Sequence, residues 1–180
     1  MYKVVESEMD AAALRHDLDR LCRWARDWHM VFNPAKCYVL SVTNKSAPIR
    51  SVYTMFGHRL QQVEHHPYLG VELSRNLDWG PHINNIIPKA QRSLNFIRRN
   101  LGGCSSGTKD KAYKALVRLI LEYGAAAWDP YHLAHIERIE GVQRRAAHFV
   151  NGIRRDDRDT SVTNAINVLG WRTLQDAMVT

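Results

Sequence analysis

The sequence predicts an α+β chain: a small antiparallel sheet with one packed helix, followed by an all-α helical bundle. Three observations predict it. Apolar residues recur at three- and four-residue steps over residues 14–28, a period of two sets in at Cys37, and three successive helical stripes follow Asn76. The composition shift near residues 74–79 is the best module boundary, so the chain divides into segments 1–76 and 77–180.

Ser7, Glu8, Met9 and Asp10 resemble a capping box with Asp in place of the usual Glu or Gln. Behind it Leu14, Leu18, Leu21, Ala25 and Trp28 form one apolar stripe. Asn33-Pro34 is the expected stop, because a residue before proline avoids helical angles. Tyr38, Leu40 and Val42 then alternate with Cys37, Val39 and Ser41, which reads as a strand. Residues 53–63 read as a hairpin in which Gly57 supplies the positive-φ position. Tyr68-Leu69-Gly70-Val71 reads as a further short strand.

In the second segment Asp78 is the expected N-cap, with Pro81 in the first turn. Ile83, Ile86, Ile87, Ala90, Leu94, Ile97 and Leu101 make the first stripe, stopped by Gly102-Gly103. The second helix starts at Thr108 and turns Ala112, Tyr113, Leu116, Val117, Ile120, Tyr123 and Ala127 inward, with Asp129-Pro130 as its stop. A third runs from about Leu133 to Asn151, with Ile136, Ile139, Val142, Ala146 and Phe149 inward. Short loops between antiparallel helices suggest a small bundle. Shorter helical pieces over residues 162–169 and 173–178 form a C-terminal extension after a charged turn at residues 154–159.

The 180 residues are 45% hydrophobic and 24% charged, as in ordinary globular proteins, which argues against long disorder. Cys22, Cys37 and Cys104 are too few and too far apart for a disulfide framework, and suit a reducing compartment. No secretion signal or membrane-spanning run is seen, so an intracellular location, cytoplasmic or nuclear, is expected. The formal net charge of +7 is concentrated: residues 89–155 hold 13 Lys and Arg against 5 Asp and Glu. The basic excess therefore lies on the predicted helices, which points to a polyanionic partner.

Most catalytic signatures are missing. No phosphate loop, zinc-protease helix or nucleophile elbow occurs. Asp156-Asp157 is the only adjacent carboxylate pair, and its Arg neighbours make a solvated charge cluster the plainer reading. His65-His66 lacks accompanying CxxC spacing, so no metal site is expected. The five tryptophans are expected in packing roles. From the residues alone, Lys36 reads as a surface lysine in a turn.

Read together, several strings resemble the reverse transcriptases of non-LTR (LINE-type, jockey-like) retrotransposons. The first are Leu18-Asp19-Arg20-Leu21-Cys22-Arg23-Trp24, Trp28-His29-Met30-Val31-Phe32-Asn33-Pro34-Ala35-Lys36-Cys37 and Tyr68-Leu69-Gly70-Val71. Next come Leu77-Asp78-Trp79 with His82-Ile83, Lys89-Ala90 and Phe96-Ile97-Arg98-Arg99-Asn100-Leu101. The last are Ala112-Tyr113-Lys114-Ala115-Leu116-Val117-Arg118, Leu121-Glu122-Tyr123, Trp128-Asp129-Pro130-Tyr131, Ile139-Glu140-Gly141-Val142-Gln143-Arg144-Arg145-Ala146-Ala147 and Leu169-Gly170-Trp171. Each string is weak alone, and their order over nearly the whole chain makes the match specific.

The resemblance implies that segment 1–76 is the end of a palm and segment 77–180 a thumb. It implies that Lys36 is the general acid that protonates the leaving pyrophosphate, and that Tyr68, Leu69 and Gly70 belong to a primer-grip hairpin. Lys89, Arg92, Arg98, Arg99, Lys111, Lys114, Arg118, Arg144 and Arg145 are the expected contacts to an RNA template or RNA–DNA duplex. The family's aromatic-Ala-Asp-Asp box, which holds catalytic metal, is missing from these residues. The fragment is therefore expected to bind no cofactor and to be inactive alone, while the complete enzyme would use Mg²⁺. The rest of the reverse transcriptase, before Met1 and after Thr180, is a further expected partner. Pro88 departs from the pattern by falling inside the first thumb helix, where a proline costs about 3 kcal/mol unless the helix kinks or starts late. A basic nucleic-acid-binding module without chemistry, or a vestigial chain without selected function, are the alternatives.

Overall fold

The computed structural model describes residues 1–153 and 162–178. Asp156-Asp157 and the charged turn around them lie outside the described residues. The chain forms two compact units, Met1–His66 with Leu73–Asp78, and Pro67–Glu72 with Trp79–Thr180. The division falls close to the composition shift, except that the short segment Pro67–Glu72 groups with the helices.

In the first unit, helix α1 spans Glu8–Asp27. The capping box forms: Ser7 Oγ accepts the Asp10 N–H at 3.2 Å, and the Asp10 carboxylate accepts the Ser7 N–H at 2.9 Å. The Ser7 side-chain hydrogen bond, with the Glu6 N–H, holds the Asp10 carboxyl below its usual range. The helix stops before Asn33-Pro34 because His29 takes a left-handed φ of 53°. The His29 N–H then donates to the Arg26 carbonyl and the Met30 N–H to the Ala25 carbonyl, a Schellman closure made without glycine. Asn33-Pro34 instead opens a 3₁₀ turn, Pro34–Lys36.

The sheet differs from the single antiparallel one expected. Among the described residues six short strands make three separate two-stranded ladders. β1 (Tyr38–Leu40) runs parallel to β4 (Gln61–Val63), with Tyr38 opposite Gln61. That pairing is possible because a long connection, carrying a hairpin of its own, separates the two strands. The hairpin pairs β2 (Thr54–Met55) with β3 (His58–Arg59). Phe56 at φ 51° and Gly57 at φ 78° form its turn, as a two-residue loop between twisted strands requires. The third ladder joins β5 (His65–Tyr68) to β6 (Val71–Ser74). Leu69 and Gly70, read as strand residues from the sequence, are the turn between them, at φ 48° and 86°.

α1 packs on the β2–β3 hairpin through Cys22, which meets Tyr53, Met55 and Leu60, with Leu14, Leu18, Phe32 and Val39 around them. Because the inward row runs through Leu18, Cys22 and Ala25, Trp24 falls on the opposite side of α1. Trp24 is 43% exposed and Trp28, beyond the last turn, 69%. These two tryptophans lie outside the core, their rings 6.5 Å apart on the surface, whereas Trp128 and Trp171 are buried.

In the second unit α2 spans Gly80–Asn100. Trp79, not Asp78, holds the N-cap position, and no side chain caps it. Pro88 lies within the helix on its solvent side, where water can take the hydrogen bond that the ring removes. Ile83, Ala90, Leu94 and Ile97 are buried as expected.

The next rod runs from α3 (Ser106–Tyr113) through a π segment (Lys114–Arg118) into α4 (Leu119–Glu122). The i→i+5 turn takes more residues than an α turn. The buried row is therefore Tyr113, Val117 and Leu121, while Leu116, Tyr123 and Ala127, expected inward, are exposed. Ser93 Oγ donates to the Leu116 carbonyl within the π segment at 2.7 Å. The rod ends at Glu122, well before Asp129-Pro130, and Gly124 at φ 71° follows.

Helix α5, Leu133–Asn151, closes at Gly152, whose φ is 70°. α6 (Val162–Val168) and α7 (Leu174–Met178) pack on it. At the centre, the Tyr113 ring stacks on Trp171 at 4.3 Å. The Tyr113 hydroxyl donates to buried Gln143 at 2.9 Å, and Gln143 Nε2 donates to the Arg172 carbonyl. Burial pushes the Tyr113 phenol well above its ordinary range, so it stays a neutral donor.

Candidate nucleic-acid interface

The basic residues named from the sequence divide into two sets once their partners are seen. Lys114 is held by Asp110 at 2.9 Å and Arg118 by Glu122 at 2.6 Å, each an i,i+4 pair. Arg144 is held by Glu137, whose carboxyl this hydrogen bond and charge keep below its usual range. These three cations are already paired with carboxylates, Lys114 and Arg118 along the α3–α4 rod and Arg144 within α5. Among the described residues, Lys89, Arg92, Arg98, Arg99 and Lys111 make no ion pair, and all five are exposed.

Arg145 belongs with the second set, and its geometry is specific. Its Nε donates to the Gln91 side-chain carbonyl at 2.9 Å. One level below, Arg138 donates to the Asn84 side-chain carbonyl at 2.8 Å. The partners advance together on both helices, from Asn84 to Gln91 and from Arg138 to Arg145, so α2 and α5 run parallel along this seam. Desolvation, then the charges of Arg144 and Arg98, lower the proton affinity of Arg145. No carboxylate offsets them. Arg144 itself points into its pair with Glu137, while Arg145 joins α2, so the two adjacent arginines have different surroundings.

Arg138, Asn84 and Gln91 were absent from the sequence-derived set. The sequence does carry a signal for them: Asn84, Gln91 and Arg98 recur every seven residues, as do Arg138 and Arg145. Such spacing keeps residues on one helix face.

Lys36 ends the 3₁₀ turn with its side chain exposed. Asn33 shapes that turn, its side chain accepting the Ala35 N–H at 3.0 Å. Among the described residues Lys36 meets no carboxylate, and no three His, Cys, Asp or Glu side chains converge to hold a metal ion.

Tyr68, Leu69 and Gly70 form the tip of the β5–β6 hairpin, and Tyr68 and Leu69 are exposed. The tip is seated by the helical unit it groups with. Tyr123 donates its hydroxyl to the Leu69 carbonyl at 3.0 Å, and its ring lies so close that a Cβ on Gly70 would sit 2.8 Å from it. The Glu72 N–H donates to Nδ1 of buried His82 at 3.2 Å. His82 in turn meets the Trp128 ring at 4.6 Å. Desolvation holds the His82 pKa below its ordinary value, with Lys89 adding to the effect and Glu72 opposing it.

Sequence comparison reaches a consistent set of relatives. The chain is 26% identical over 146 residues to the RNA-directed DNA polymerase from mobile element jockey of Drosophila melanogaster, covering 78% of this chain and 16% of that protein. The chain is similar to the RNA-directed DNA polymerases of jockey-type mobile elements. The jockey polymerase of Drosophila funebris is 27% identical over 143 residues, covering 78% of this chain and 16% of the relative. A probable RNA-directed DNA polymerase from transposon BS of Drosophila melanogaster is 26% identical over 165 residues, covering 88% of this chain and 18% of that polymerase. The chain thus spans roughly a sixth of the length of the polymerases it matches. No family model and no solved structure matches it. Among the described residues no helix is long and apolar enough to cross a membrane.

Proposed function

We propose that this chain is the palm-end and thumb portion of the reverse transcriptase of a non-LTR retrotransposon, and that its own role is to hold the RNA template or RNA–DNA duplex by the phosphate backbone. The observation that carries this reading is the exposed, unpaired basic set on α2, α3 and α5, in a chain similar to RNA-directed DNA polymerases. Cations of this kind contact phosphates and read no bases, so binding is insensitive to sequence and weakens with salt.

Catalysis belongs to the complete polymerase. Two-metal phosphoryl transfer needs carboxylates on a rigid scaffold. The sequence has no aromatic-Ala-Asp-Asp string, and the described residues gather no metal-holding group, so in this reading the carboxylates that hold Mg²⁺ come from the rest of the polymerase. In this reading Lys36 delivers a proton to the leaving pyrophosphate only when the rest of the palm is present. Tyr68, Leu69 and Gly70 are the hairpin that meets the primer.

The test is a titration of RNA–DNA hybrid against purified chain across a salt series, read by fluorescence anisotropy. If about five phosphates are neutralised, log K falls against log salt with a slope near −4. Primer–template, dNTPs and Mg²⁺ give no extension. Salt-independent binding, or no binding at low salt, overturns the nucleic-acid role. Extension that survives removal of contaminating polymerase overturns the assignment of catalysis to missing residues.

A further inference from the structure

The arginines on α5 differ in what holds them, and the difference decides which can meet an anion. A carboxylate partner cancels a guanidinium's charge as it positions it. A neutral amide positions the guanidinium and leaves the charge intact. Arg144 has the first kind of partner, Glu137. Arg138 and Arg145 have the second, Asn84 and Gln91.

Each amide takes only part of its arginine's five-donor fork. Arg138 gives one terminal N–H to Asn84, and Arg145 gives its Nε–H to Gln91, leaving both terminal nitrogens of Arg145 clear of that bond. The two are exposed. Seven residues at the helical rise place them about 10.5 Å apart along α5. Arg98 continues the same face of α2 beyond Gln91, and its charge reaches Arg145. Among the described residues no carboxylate pairs with Arg98, Arg138 or Arg145.

We infer that the α2–α5 seam is a preorganised row of phosphate seats, with Arg138, Arg145 and Arg98 as the contacts and Asn84 and Gln91 as positioning residues, and that its ligand is the backbone of a nucleic-acid duplex. The inference deepens the proposed function and rests on it. The duplex is favoured because a fixed row gains most from a ligand whose own phosphates are fixed. Duplex DNA is stiff over about 150 bp, whereas a single strand adapts to any arrangement of cations. The row also replaces the sequence-derived set in part: Arg144 and Arg118, held by carboxylates, contribute little.

The experiment compares four forms of the chain for RNA–DNA hybrid and for single-stranded DNA of equal length across a salt series. These are wild type, Arg138→Gln with Arg145→Gln, Asn84→Ala with Gln91→Ala, and Arg118→Gln with Arg144→Gln. Circular dichroism confirms that each is folded. The seam arginine pair should weaken hybrid binding at least tenfold and make the salt slope shallower by about 2, the share of two phosphates. The amide pair keeps every charge, so it should weaken hybrid binding about threefold at an unchanged slope, from the lost ordering of two side chains. The carboxylate-held pair should change affinity less than twofold. Single-strand affinity should fall less than twofold for the amide pair.

A carboxylate-held pair as damaging as the seam pair overturns the inference, and so does an amide pair that binds like wild type. Equal losses on hybrid and single strand overturn the duplex assignment. If wild type binds the hybrid and the seam variants match it, the seam fails while the proposed function stands. If wild type binds neither ligand, both fail. Should the amide pair lose helicity, Arg138→Lys with Arg145→Lys replaces it. That variant keeps charge and loses the planar fork, and should weaken hybrid binding about threefold; wild-type affinity would overturn the row.

Discussion

The two units obtain their order differently. The helical unit buries a continuous set of large side chains, with Leu94, Tyr113, Val117, Leu121, Val142 and Leu174 at 0% exposure. The first unit closes around a much smaller cluster, in which Tyr53 and Leu60 keep 8% and 9% of their surface exposed. The strands wholly within it, β1 to β4, are two or three residues long and form two separate ladders. Ladders that short gain little from pairing alone. The first unit therefore depends on α1 covering the hairpin, whereas each long helix of the second supplies its own backbone hydrogen bonds and needs only a face to bury. Two stretches of equally regular-looking sequence thus differ greatly in how much core they build.

The largest test of that contrast is truncation in each core. Leu94→Ala should destabilise the helical unit by about 3 kcal/mol, in the range for fully buried leucines. Leu60→Ala should cost the first unit about half as much, because its site is shallower and can relax. Urea unfolding followed by tryptophan fluorescence and far-UV circular dichroism measures both. Equal losses would show that the first unit is as tightly packed as the second.

A finer comparison uses the two turns of the same type. Gly57 has φ 78° with open space around its Cβ position, while Gly70 has φ 86° with the Tyr123 ring against it. Gly57→Ala should cost about 1 kcal/mol, the conformational term alone. Gly70→Ala should add about 1–2 kcal/mol of overpacking, and free the Glu72 amide, bonded to His82, to exchange. Hydrogen exchange resolves the two sites. A Gly70→Ala chain with the hairpin tip still protected would show that the Tyr123 ring moves aside at no cost.

The smallest expected effect is a pH dependence confined to the helical unit. His82 has a folded pKa below its ordinary 6.5, so the unfolded chain binds the proton more tightly. The His82 contribution is therefore constant above about pH 7 and falls as pH drops through 6.5 toward the lower folded value. The slope in that window is at most about 1.4 kcal/mol per pH unit. Protonation places a hydrogen on Nδ1, where the Glu72 N–H already points, so the hairpin tip should loosen first. Glu72 amide exchange followed from pH 7.5 to 5.5 checks this, with His82→Gln as the non-titrating control. A flat profile in the wild type would mean that the tip is not held through His82.

What could be read from the residues follows from locality. The Ser7–Asp10 box and the α5 span Leu133–Asn151 depend on neighbours within a few positions, and periodicity and capping report them directly. The expectations fail where a single residue takes an unfavoured angle, where a helix departs from 3.6 residues per turn, and where strands far apart in sequence must meet. The stop of α1 moved because His29 accepts a left-handed angle, the rod after Ser105 changed its buried row at a π turn, and Leu69 and Gly70 became a turn. The parallel pairing of β1 with β4 comes from strands far apart in sequence, which alternation cannot pair.

The same division holds for the interface. The sequence by itself determined that the basic excess lies on the helices and that the chain resembles reverse transcriptases, because charge and motif order are properties of the string. Only the tertiary structure decided which cations remain unneutralised. Whether an arginine meets Glu137 on its own helix or Gln91 on a neighbouring one depends on how the helices are rotated against each other. That rotation is set by the burial of apolar faces from the whole unit, so no window of sequence contains it.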